Sequence, residues 1–171
     1  MNKALKLILP ATLISGIISG ATLMLNVLTM EFGPGFLFGL ATAPIFFKTK
    51  RLGLVEAFLW LSASVGSWYA ALKLYFLFTS DQPAGGLLAF AACGALGAAL
   101  LAVAYAILTR KLNRNLMVVT IAAGVGSALV MYGILTALDD SLTTVKFALS
   151  FAVWQLAVGI ALSLPNPKLK P

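Results

Sequence analysis

The sequence predicts an all-α integral membrane protein, a six-helix transmembrane bundle, and three observations predict it. Of 171 residues, 61% are hydrophobic and only 10% charged, with a mean hydropathy of +1.01; soluble domains carry about 25% charged residues. The apolar residues fall into six runs divided by short polar segments, and the basic residues gather in alternate segments between those runs. A water-soluble chain of this size cannot cover so much apolar surface, so the lipid bilayer is the expected solvent and partner.

The runs cover residues 5–29, 34–47, 52–79, 85–109, 116–138 and 145–164, within one transmembrane domain over 1–171. Crossing the hydrocarbon takes roughly 20 helical residues. The first run has Lys3 just before it and Lys6 at its start, as in a secretory signal, but it is longer than a signal's apolar core and is expected to stay as a span. It carries Gly16 and Gly20 at GxxxG spacing, Ser15 and Ser19 one position earlier, and Asn26 near its far end.

The second run falls short and is crowded with glycine and proline: Gly33, Pro34, Gly35, Gly39 and Pro44. Pro34 suits a first helical turn, where its missing N–H is no loss. Pro44 removes a backbone bond near the other end, and with Gly39 it predicts a short, kinked helix. A re-entrant loop would put Lys48, Lys50 and Arg51 on the opposite face and reverse every later segment, so a complete but irregular span is expected.

The third run is long enough to tilt and holds Glu56 and Lys73 near opposite ends. Glu56 is expected to pair with Lys48, Arg51 or the 110–114 segment. Lys73 either snorkels among Trp68, Tyr69 and Tyr75, holds an anionic solute, or pairs with Asp139 or Asp140. The fourth run repeats small residues at Ala91, Ala95 and Ala99; the fifth pairs Ala122 with Gly126 and Gly124 with Ala128. Such ridges let helices approach closely in lipid. The sixth carries Gln155 beside Trp154, an amide too deep to snorkel and expected to bond across helices.

Orientation follows from the cations. With a cytoplasmic amino terminus, Lys3, Lys6, Lys48, Lys50, Arg51, Arg110, Lys111, Arg114, Lys168 and Lys170 all fall inside, ten of the twelve basic residues. Glu31, Asp81, Asp139 and Asp140 fall outside with Lys73 and Lys146. Both termini are therefore expected to be cytoplasmic, and a bacterial inner membrane suits the short connections. The basic tail LPNPKLKP is placed to touch anionic headgroups.

Catalytic chemistry is scarce, and no enzyme is expected. There is no histidine, which removes histidine acid–base work, Ser-His-Asp triads and His-ligated metals. Cys93, the only cysteine, reads as a small core residue. Asp139 and Asp140, followed by Ser141, Thr143 and Thr144, read as a helix end rather than a cation site. No cofactor or metal is implied. The net charge of +7 lies in clusters with no continuous basic face, so nucleic acid is not a partner.

Two functional readings stand. An interrupted span and costly intramembrane polar groups mark solute sites in transporters, which makes Gly39, Pro44, Glu56, Lys73 and Gln155 the candidate substrate-binding residues of a small-solute transporter or membrane-embedded solute-binding subunit. The alternative is a non-transporting scaffold or accessory protein that binds a membrane partner, or a second copy, through a small-residue helix face. The outline of six spans with little outside the membrane is similar in architecture to the substrate-capturing subunits of energy-coupling-factor transporters, although no family motif accompanies it.

Overall fold

A backbone in lipid must pair its own N–H and C=O groups, so apolar runs of this length fold as helices. The computed structural model describes residues 3–23, 25–49, 51–79, 86–110 and 113–164. Its helices are α1 (Lys3–Thr22), α2 (Val27–Lys48), α3 (Leu54–Thr79), α4 (Gly86–Thr109), α5 (Arg114–Ala137) and α6 (Thr143–Ser163), with a 3-10 turn over Asp140–Leu142 before α6. All but α3 are both long and apolar enough to cross a membrane, five in number. α3 has the length, at 26 residues, but Glu56, Lys73 and three serines, Ser62, Ser64 and Ser67, dilute its apolar character.

The boundary between the first two helices departs from expectation. α1 stops at Thr22 and α2 begins at Val27, so the chain turns within the first apolar run. Asn26 is the reason. Its side chain accepts from the Thr29 N–H at 2.9 Å, and Thr29 Oγ1 accepts from the Asn26 N–H at 3.1 Å, a reciprocal cap on the first turn of α2. The expected short second helix is thereby corrected: α2 has 22 residues, about 33 Å of helix. It continues as α-helix through Gly39 and both prolines.

Pro34 is tolerated inside α2 because its neighbours repair the backbone. A proline cannot donate to the carbonyl four residues back, here Met30. The Trp68 indole of α3 donates to that carbonyl at 3.0 Å. Gln155 Nε2 of α6 donates to the carbonyl of Pro34 itself at 3.2 Å. Two other helices therefore hold the proline turn.

Each helix packs against its neighbours in the chain, and α6 closes on α1, making a ring of six. α6 also touches α2 and α4 across the ring. Glycines fix the antiparallel register. A Cβ on Gly16 would lie 2.5 Å from the Ala152 Cα, and one on Gly20 would collide with the Phe147 backbone, so only glycine lets α1 and α6 approach this closely. Gly35 sits against Ser64 and Val65, setting α2 on α3, and Gly94 against Gly124 sets α4 on α5.

The ring has two ends. The terminal face collects the start of α1 and the end of α6 with Lys6, Lys48, Arg51, Glu56, Arg110 and Arg114; the far face holds Glu31, Lys73, Asp139, Asp140 and Lys146. Lys50, Asp81, Lys111, Lys168 and Lys170 lie outside the described residues. Between the faces, large apolar side chains such as Leu28, Phe58, Leu88 and Ile107 point outward and are exposed. This is the apolar mantle a bilayer covers.

Candidate functional site

The five candidate residues do not meet in one place. Gly39 lies where α2 crosses α3, and an added Cβ would come within 2.8 Å of Leu61 Cδ1 and 3.0 Å of Ser64 Cβ. It serves close packing in this structure. Pro44 is exposed on the outer surface of α2. Glu56 is half-buried in the first turn of α3, at the terminal face, and forms no ion pair with Lys48, Arg51 or Arg110. A carboxylate there lies favourably at the positive end of the helix dipole.

Lys73 has a partner that the sequence reading did not consider. Its ammonium binds Glu31 Oε1 at 2.8 Å and lies 4.9 Å from the Tyr69 ring centroid. Asp139 and Asp140 are engaged elsewhere: Lys146 reaches Asp140 at 2.7 Å, and Asp139 accepts from the Ser141 N–H at 2.8 Å. That backbone hydrogen bond is the main cause holding the Asp139 carboxyl below its ordinary pKa. The two acids thus shape the turn into α6.

Gln155 is fully buried with both ends of its amide used. Ser15 Oγ donates to Oε1 at 2.6 Å, and Nε2 donates to Ser19 Oγ at 2.9 Å and to the Pro34 carbonyl at 3.2 Å. This ties α6 to α1 and α2. The expected cross-helix bonding is present, with three of the amide's four hydrogen-bonding positions filled by the protein.

What the ring encloses instead is apolar. A cavity of about 290 Å³ lies toward the far face. All six helical arms contribute, from Leu23 after α1 and Met30 of α2 to Ala71 of α3, Gly97 of α4, Met131 of α5 and Trp154 of α6. Aromatic side chains form much of its wall, and Cys93 and Tyr75 are among the lining residues. Gly97 leaves part of this space open, because a Cβ there would stand 3.4 Å from Trp154 and 3.6 Å from Ala71.

Below the cavity aromatic rings pack one on another. Trp154 packs on Phe38 at 6.2 Å between centroids, Phe38 on Trp60 at 6.4 Å, Trp60 on Phe46 at 5.5 Å, and Phe46 on Tyr105 at 5.2 Å. The Trp60 indole donates to Thr42 Oγ1 at 2.7 Å, which satisfies its buried N–H. This aromatic column separates the cavity from the terminal face.

Arg51 fastens the column's end. Its guanidinium donates to Tyr105 Oη at 3.2 Å, to the Leu162 carbonyl at 3.1 Å and to the Ser163 carbonyl at 2.9 Å. A cation at a helix C-terminus satisfies carbonyls that have no helical partner and complements the dipole. The sequence offers Arg51 as an orientation charge and a partner for Glu56, and among the described residues the structure gives it neither Glu56 nor any other carboxylate but these carbonyls and Tyr105. No local signal marks it, because its partners lie more than a hundred residues away for α6 and in another helix for Tyr105.

Small-residue ridges divide between uses. Gly16, Gly20, Gly94, Gly124 and Ala128 are buried in helix contacts, whereas Ala122, Gly126 and Gly133 of α5 face outward. Around Gly126 and Gly133 there is open space.

No family model matches this chain, and no curated protein or solved structure matches it.

Proposed function

We propose that this chain is a multi-pass membrane protein that holds a small apolar or aromatic solute between its helices, as a transporter or a membrane-embedded binding subunit. The cavity of about 290 Å³ carries the reading, because it is walled from all sides of the ring by apolar and aromatic side chains. Ligand sites of this kind are concave and mainly apolar. The polar residues first considered as ligands are satisfied within the bundle or stand away from the cavity, so the favoured solute is one that needs few hydrogen bonds.

On the positive-inside rule the terminal face is cytoplasmic, which suits a bacterial inner membrane. The cavity then lies on the outer side of the aromatic column. Passage to the cytoplasm requires Phe38, Phe46, Trp60 and Tyr105 to part, and with them the Arg51 contacts to α6. A second reading, a scaffold, is favoured by the outward Gly126 and Gly133 of α5, whose surroundings leave room for a helix from another chain.

A thermal-shift screen of the detergent-purified protein tests the proposal. Apolar and aromatic solutes at 100 times their dissociation constant raise stability by about 2.7 kcal/mol. Ala71→Leu, which fills the cavity, is expected to abolish the shift. The proposal fails if no apolar solute stabilises the wild type, or if only charged solutes do and Lys73→Ala or Glu56→Gln removes their effect.

A further inference from the structure

We propose that the groove at the terminal face, between the ends of α2, α3 and α4, binds the headgroup of an anionic phospholipid. It has a volume of about 650 Å³ and is lined by Lys48, Arg51, Arg110 and Glu56, with Phe47, Leu52 and Leu108 among its apolar walls. Three cations face one carboxylate. Lys48 and Arg110 form no ion pair among the described residues, whereas Arg51 is already committed to α6.

Two further observations bear on the groove, and the second points to a lipid. Arg110 ends α4 in the left-handed conformation, φ 54°, the one non-glycine residue with positive φ among those described. Glycine is the default there because it adopts this conformation without steric cost. Arginine holds a guanidinium at the groove in spite of that cost. Apolar surface also runs up to the charges: Leu54, Val55 and Ile107 are 63%, 68% and 69% exposed beside it. A ligand with an anionic head and hydrocarbon tails matches both surfaces, and basic pockets between helix ends hold such headgroups. A soluble anion matches only the charges.

Lys48 and Arg110 also stand at helix C-termini, where cations offset the dipole, and the test must separate that role. It uses native mass spectrometry of the full chain in detergent with equimolar phosphatidylglycerol and phosphatidylcholine, alongside melting temperatures. The wild type is expected to retain phosphatidylglycerol preferentially, and Lys48→Ala with Arg110→Ala to reduce that preference by about tenfold. Lys6→Ala with Arg114→Ala removes the same charge away from the groove and is expected to keep the preference within about twofold. Excess inorganic phosphate leaves the bound lipid in place. The proposal is overturned if the wild type shows no preference, if both double variants lose it equally, or if phosphate displaces the lipid. A lower melting temperature with the preference intact assigns the two residues to the helix dipole and overturns it too.

Discussion

Gln155→Leu separates a structural amide from a solute ligand. Leucine has about the same size and removes every hydrogen-bonding atom, so three bonds are lost, to Ser15, Ser19 and the Pro34 carbonyl. Interhelical hydrogen bonds in membranes average about 0.6 kcal/mol and reach about 1.7. Three of them give about 2 kcal/mol, with an upper bound near 5 kcal/mol on the same scale. The lower figure is favoured because the Ser19 hydroxyl already donates to the Ser15 carbonyl at 2.7 Å and is not orphaned. Equilibrium unfolding in mixed detergent and dodecyl sulfate micelles, followed by circular dichroism, measures the loss. Ser15→Ala combined with it should show coupling of about 0.5–1.5 kcal/mol, as expected for residues sharing one network. A variant within about 0.5 kcal/mol of wild type that has nevertheless lost solute binding would refute the structural assignment.

Three other outcomes follow from the geometry. Arg51→Ala loses charged hydrogen bonds to two helix-terminal carbonyls and is expected to destabilise by about 2 kcal/mol; Arg51→Lys should recover less than half in the same unfolding assay, because a point ammonium cannot bridge both carbonyls and Tyr105. Gly124→Val drives a side chain into Ala98 and the Gly94 carbonyl, with an expected loss of about 1–3 kcal/mol, whereas Gly126→Ala meets open space and should raise stability by about 0.5–1 kcal/mol through helix propensity. Lys73 and Glu31, with the lysine side chain 44% exposed, should show only a weak double-mutant coupling that shrinks with salt.

The helices were legible because hydropathy is a property of composition and needs no tertiary information. Ridge contacts at Gly16, Gly20 and Gly124, and the cross-helix bonding of Gln155, were legible for a related reason: small residues and intramembrane amides have few stable uses in lipid. The break between the end of α1 at Thr22 and the start of α2 at Val27 is hidden from hydropathy, which averages across the apolar run that contains it. Asn26 with Thr29 is its local signal, a reciprocal capping pair that starts a helix within apolar surroundings. Pro34 misled in the same region. Its cost looks local, yet the carbonyl it orphans, that of Met30, is taken up by Trp68 on α3, which no local pattern announces. The cavity and the aromatic column share this limit, since each is assembled from residues scattered over several helices. Polarity singles out Gln155 and Lys73 in the sequence, and in the bundle these two bond across helices, Gln155 to α1 and α2 and Lys73 to Glu31.

Tryptophan fluorescence offers the most direct test that the ring holds an apolar solute. The chain has three tryptophans; Trp68 and Trp154 line the cavity, and Trp60 is buried in the column below it. Titration with bromobenzene, a small apolar heavy-atom quencher, is predicted to give saturable partial quenching in the wild type and to lose its saturable phase in Ala71→Leu. Quenching that rises linearly without saturation, with the same slope in both proteins, would mean the probe only partitions into micelle or lipid and would contradict the account.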